Sequence, residues 1–143
     1  MIKILGPRLP FPKKNLQKSL EDFISGKDFK TGPIFYYLVN DDDLLEINKR
    51  FLNHYDLTDI ITFDYSDKEI LSGEIFISLE RVKDNATKLK IPFEEELLRV
   101  MAHGILHLMG LKDNTKIEKK RMRREEEKAI RFLLENVSRG TKS

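Results

Sequence analysis

The stretch from Pro92 to Gly110 carries both a start and a stop for one long helix, and this constrains the chain more than any other feature. Pro92 suits a first helical position, where a missing N–H costs nothing, Glu94 to Glu96 complement the positive end of the helix dipole, and Gly110 suits the end. Leu79 to Lys90 reads as a shorter helix stopped before Pro92. A last helix is expected from Thr115, where Thr115 and Glu118 have capping-box spacing, to about Asn136, with a frayed tail from Ser138 to Ser143.

Upstream, Leu16, Leu20, Phe23 and Ile24 recur at helical spacing within Pro12 to Ser25, and Gly26 can end that helix. Ile34 to Val39, β-branched and aromatic after Gly32-Pro33, predicts a strand. Asp41 to Asp43 supply a cap and an acidic first turn for a helix carrying Leu44, Leu45, Ile47, Phe51 and Leu52. Ile60 to Tyr65 and Glu74 to Ser78 predict an antiparallel pair, with Gly73 marking a bulge. This order predicts an α+β fold: a small mixed sheet packed with helices, the long helix being followed by a C-terminal one. A chain of 143 residues, 40% hydrophobic and 35% charged, suits a single folded domain over residues 1–143. The longest apolar run, Ile34 to Val39, is too short to cross a bilayer, and Met1 to Pro12 lacks the zones of a secretory signal, so a cytoplasmic protein is expected.

Cysteine is absent, so any metal must be held by nitrogen and oxygen. His103 and His107 lie four residues apart on the long helix and leave the same face one turn apart. Gly110 can turn the chain sharply, and the carboxylate of Asp113 can return to the same point. The pattern is H-x-x-x-H-x-x-G-x-x-D. Two imidazoles and a carboxylate with an open position are the arrangement in which Zn²⁺ activates a water for hydrolysis. A purely structural role for the two histidines, with Asp113 part of a turn, accounts less well for the agreement of pair, glycine and returning acid. The spacing is that of metzincin proteases, but the place of their catalytic glutamate is taken by Gly104, which argues against ordinary proteolysis. Non-haem iron oxygenases also use two histidines and a carboxylate, usually from strands with another spacing.

From about Val39 to Asp113 the chain resembles the YbeY-type endoribonucleases of ribosomal RNA maturation. His103-Gly104-Ile105-Leu106-His107-Leu108-Met109-Gly110 is similar to the family signature H-G-x-L-H-L-x-G, Thr58-Asp59-Ile60-Ile61-Thr62-Phe63 to its T-D-V-L-S-F segment, and Gly73-Glu74-Ile75-Phe76-Ile77-Ser78 to its G-D-I-x-I-S strand. The resemblance implies a small sheet packed with helices, a zinc ion as cofactor, and RNA as substrate, notably the small-subunit rRNA precursor. Two positions depart from the family pattern. Asp113 stands where a third histidine is usual, and Phe51-Leu52 where a Tyr-Arg pair is usual, so that Lys49, Arg50 or His54 must take over any role of that arginine.

Asp59, at the start of the second signature, is a candidate for orienting a histidine or moving a proton, although Thr58-Asp59 could equally just end a loop. The net charge, 26 basic against 24 acidic residues, announces no nucleic-acid binder, so a local patch must hold RNA. Lys116, Lys119, Lys120, Arg121, Arg123 and Arg124 on the last helix are candidates, with Lys13, Lys14 and Lys18 a weaker group. The plainer expectation for the last helix is a solvated face whose charges pair, Arg121 with Glu125 and Arg123 with Glu127. Two functions follow: a metal-dependent single-strand endoribonuclease in rRNA maturation, working alongside small-subunit ribosomal proteins, or a ribosome-associated RNA-binding factor whose metal is structural.

Overall fold

A computed structural model describes residues 1–53 and 58–142, with side chains through residue 137. The elements are β1 (Ile2–Leu5), α1 (Lys13–Gly26), β2 (Lys30–Val39), α2 (Asp41–Leu52), β3 (Ile60–Asp64), β4 (Ile70–Ser78), α3 (Leu79–Leu89), α4 (Phe93–Leu108) and α5 (Lys116–Lys142). The sheet has the order β1-β2-β4-β3, with β1 and β4 parallel to β2, and β3 antiparallel to β4. This is the expected α+β arrangement with a mixed sheet.

The helix starts follow local chemistry. The side chain of Asn40 accepts the Asp43 N–H at 2.8 Å, so the cap of α2 lies just ahead of the predicted Asp41 to Asp43 turn, and the side chain of Ser78 accepts the Arg81 N–H at 3.2 Å to cap α3. The capping box forms as expected: Thr115 N–H donates to Glu118 Oε1 at 3.0 Å and Glu118 N–H to Thr115 Oγ1 at 3.1 Å. Helix α5 runs on to Lys142 instead of ending near Asn136. Leu133 and Val137 are buried, so the apolar stripe that docks the helix continues past the predicted end.

Strand β1 is an element that the sequence pattern does not mark. It is four residues long and among the described residues pairs only with β2, from Ile2 opposite Ile34 to Leu5 opposite Tyr37. The predicted bulge falls across from Gly73. Thr31 pairs with Leu71 and Ile34 with Gly73, so Gly32-Pro33 carries the extra residue on β2, where proline has no N–H for the ladder. Gly73 has a different reason to be glycine: a Cβ there would collide with the Phe63 carbonyl oxygen and lie 3.1 Å from Leu108 Cδ2.

One face of the sheet, with Ile34, Tyr36 and Leu38 of β2 and Leu71, Ile75 and Ile77 of β4, is buried in a core shared with α1, α4 and α5. Helix α4 is apolar almost all round: Leu97, Leu98, Val100, Met101, Ala102, Ile105, Leu106 and Leu108 are buried. The Tyr36 hydroxyl reaches into this packing and donates to the Met101 carbonyl at 2.7 Å, and burial pushes its phenol well above the usual range. A Cβ on Gly104 would lie 3.0 Å from Ile75 Cδ1 and 3.3 Å from Ile60 Cδ1. The closeness of α4 to the sheet thus leaves no room for a glutamate at the position where metzincins carry theirs.

Candidate metal centre

What α4 leaves uncovered is a stripe of half-buried side chains, Arg99, His103 and His107, continuing the buried Glu96 at turn spacing. Gly110, with φ +101°, ends the helix in a backbone conformation other residues rarely adopt, and the chain doubles back. Asp113 returns to the stripe as predicted. Its Oδ2 lies 3.4 Å from His103 Nε2 and 3.7 Å from His107 Nε2, and one ligand atom from each of the three residues falls within 4.8 Å of the others. The two imidazole planes stand at 82° with centroids 4.5 Å apart.

The other ring nitrogens are committed. His107 Nδ1 lies 2.9 Å from the Leu111 carbonyl, which can only accept, so this nitrogen carries the hydrogen. His103 Nδ1 lies 2.5 Å from Glu126 Oε2. Burial pulls the Glu126 carboxyl up, but the bond from His103 and the charges of His103 and Arg99 outweigh it and hold the group below its ordinary value, so it too accepts. In neutral rings both Nε2 lone pairs therefore meet the Asp113 carboxylate. Only a cation, a proton or a metal ion, relieves that convergence. Two imidazole nitrogens and one carboxylate oxygen fit a borderline divalent ion.

The sequence pattern points to neither Glu126 nor Arg99 as a site residue, and to Glu96 only as part of the acidic first turn of α4. Arg99 binds Glu96 through Nε at 2.8 Å and Nη2 at 2.5 Å, and Glu126 through Nη1 at 3.1 Å. The Glu96 bond first, against the opposing effect of burial, raises Arg99 above even its usual range. One signal was available: Met122, Ala129, Leu133 and Val137 mark the buried stripe of α5, and Glu126 lies on it.

The centre opens into a cleft of about 640 Å³ lined by Thr58, Asp59, Ile60, Thr62, Asp64, Arg99, Val100, His103, His107 and Asp113. Asp59 lies in its wall, where its carboxylate accepts from Asn85 Nδ2 at 3.5 Å. Burial pushes its carboxyl up, against the lowering effect of Arg99. It makes no hydrogen bond to either histidine among the described residues; the carboxylate that does is Glu126.

The basic candidates are spread over three helices, α1, α2 and α5. Lys49 and Arg50 are exposed on α2, with Arg50 3.5 Å from Glu46. Lys119, Lys120, Arg123 and Arg124 are exposed on the first half of α5 and line one shallow depression. Neither pair expected on this helix forms among the described residues; in the Arg121–Glu125 case Glu125 turns instead to Lys27 at 3.0 Å and Lys128 at 3.2 Å. On α1, Lys13 donates to the Gly6 carbonyl at 2.8 Å, while Lys14 and Lys18 are exposed. Phe51 and Leu52 are exposed, and His54 lies outside the described residues.

Residues 9–133 match the family described as Endoribonuclease YbeY. The chain belongs to the YbeY family. A Flavobacterium psychrophilum protein named Endoribonuclease YbeY is 49% identical over 102 residues, covering 71% of this chain and 73% of that one. A Phocaeicola vulgatus protein of the same name is 43% identical over 129 residues, covering 90% and 94%. A solution structure of a Thermotoga maritima protein superposes with a TM-score of 0.68 at 31% identity, over 93% of this chain and 89% of that one. Membership in the YbeY family bears out the reading of the chain as an enzyme of the nuclease class, a hydrolase. No described helix is long and apolar enough to cross a membrane.

Proposed function

We propose that residues 1–143 act as one domain, a metal-dependent endoribonuclease that cuts single-stranded RNA during ribosomal RNA maturation, with the small-subunit rRNA precursor as its substrate. The observation that carries this reading is the convergence of His103, His107 and Asp113 in an open cleft of a YbeY-family chain. These three residues would hold one divalent ion, zinc by the two-nitrogen, one-oxygen donor set. Such an ion supplies a Lewis acid for a phosphoryl oxygen and lowers the pKa of a water.

The protein's own groups do the rest. Asp59 is placed in the cleft wall with its carboxyl raised by burial, which suits a group that takes up and returns a proton. Lys119, Lys120 and Arg123 form the cationic track for the phosphate backbone, just beyond Asp113 in the chain, and Lys49 and Arg50 a second contact on α2. A ribosomal substrate implies a cytoplasmic setting and small-subunit proteins as partners that present the RNA.

Metal analysis of the purified protein beside His103→Ala and Asp113→Ala tests the ligands, with cleavage of a single-stranded RNA oligonucleotide in parallel. The expected outcome is about one bound zinc per chain, lost in both variants, and cleavage reduced more than about a hundredfold. A wild-type protein that takes up no zinc, or variants that cleave as well as it does, would sink the reading. Zinc retained with RNA binding but no cleavage would favour the RNA-binding factor with a structural metal.

A further inference from the structure

Glu126 occupies a position that the pattern of its own helix reserves for an apolar side chain. It sits on the stripe of Met122, Ala129, Leu133 and Val137, and its side chain is only 4% exposed. A carboxylate is costly to bury unless it is paired and hydrogen-bonded, so its partners are what keep it there. Each oxygen has its own. Oε1 accepts from Arg99 Nη1 at 3.1 Å, and Oε2 meets His103 Nδ1 at 2.5 Å. Arg99 is fixed from its other side by two bonds to Glu96, whose side chain is fully buried. A planar guanidinium gripped in this way cannot turn without breaking both bonds, so the Glu126 carboxylate cannot turn away from the imidazole either.

We propose that Glu126, clamped by Arg99 and Glu96, is a positioning residue that keeps the proton of His103 on Nδ1 and so holds its Nε2 lone pair toward His107 and Asp113. Without an acceptor at Nδ1, the ring is free to carry its proton on Nε2, where it cannot be a ligand. The carboxylate comes from α5 and the imidazole from α4. Docking of these two helices therefore sets the readiness of the site, and the ligands are correctly disposed before any ion arrives. The inference rests on the metal reading above and adds to it a residue that touches neither ion nor RNA.

The test uses the full chain, freed of metal, with two readouts: zinc affinity by competition with a chromophoric chelator, and the His103 tautomer from imidazole ¹⁵N shifts. Glu126→Gln keeps an oxygen for Arg99 but then presents its NH2 donor to His103 Nδ1, and it is expected to weaken zinc binding by about 10-fold. The combined variant Glu96→Leu, Arg99→Met, Glu126→Leu removes the whole cluster without leaving a buried charge unpaired, so it folds, and it is expected to approach 100-fold weaker binding, with roughly that loss typical of orienting partners. In both, the metal-free protein should show His103 shifted from the Nδ1–H toward the Nε2–H tautomer. Folded variants that bind zinc as tightly as wild type and keep the Nδ1–H form would overturn the proposal. A wild-type protein that binds no zinc overturns the metal reading instead, and the tautomer in the metal-free variants then decides the positioning role by itself.

Discussion

Along one stripe of α4, Glu96 and Arg99 near the start of the helix and His103 and His107 near its end meet different kinds of partner. At the first end the groups are of opposite charge and answer each other. Arg99 satisfies two buried carboxylates, Glu96 from its own helix and Glu126 from α5. At the second end the groups are alike: two imidazole nitrogens and a carboxylate oxygen, all electron-pair donors, converge on one point. The first set is complete without a ligand, whereas the second is complete only with a cation. Glu126 joins the two, one oxygen in each. A few residues along a single helix thus separate a cluster whose charges answer one another from one whose donor atoms converge unanswered, and the sign of the partners tells them apart where burial does not.

The hardest blow to this contrast is Arg99→Leu. It leaves Glu96, whose side chain is fully buried, facing Glu126, 4% exposed, with no cation between them. Removing one partner from a buried charge cluster costs about 3–5 kcal/mol, and urea unfolding at neutral pH should show a loss of that size. A loss under about 1 kcal/mol would mean that the two carboxylates are not held charged by Arg99, and the first end would no longer count as self-sufficient.

The second end should respond in the opposite way. Asp113→Asn in the metal-free protein relieves a convergence of like groups, so its stability should stay within about 0.5 kcal/mol of wild type. Zinc at about a hundred times its dissociation constant should then stabilise the wild-type protein by roughly 2.7 kcal/mol and the variant far less. Thermal unfolding with and without zinc measures both. Equal stabilisation of the two proteins would remove Asp113 from the site, and a large loss in the metal-free variant would assign it to the fold.

What could be read from the sequence divides along a similar line. His103, His107, Gly110 and Asp113 lie within eleven residues of chain, and helix geometry plus one glycine turn is enough to bring them together. Helices α1 to α4 and the β3–β4 pair likewise follow from local periodicity and caps. Arg99 and Glu126 meet only because α4 and α5 pack side by side, 27 residues apart in sequence, and no local pattern encodes that contact. The one hint was a charge in an apolar stripe. Strand β1 escaped for the same reason, since four residues carry too little periodicity and its pairing with β2 spans about thirty residues. The Arg121–Glu125 pair expected within α5 gives way to Lys27, on the turn after α1, which takes Glu125.

That last contact gives the smallest of the effects and a measure of what burial adds. Glu125 and Glu126 are neighbours on α5 and each binds a cation from another element, but the Lys27–Glu125 pair at 3.0 Å has side chains 36% and 20% exposed, where solvent screens the attraction. Glu125→Gln should therefore cost only about 0.5 kcal/mol at neutral pH, against the several expected for Arg99→Leu. The bond from Lys27 first, with burial opposing it, holds the Glu125 carboxyl below its ordinary value. A carboxyl lowered in the folded state stabilises above its unfolded pKa, about 4.3, and loses that contribution as the pH falls through the lower folded value. The difference between wild type and variant should thus be constant from about pH 7 to 5, shrink below about pH 4, and fade at high salt. A difference that persisted in acid would have to come from packing of the side chain and not from its charge, and the contrast between the two neighbouring glutamates would then rest on shape.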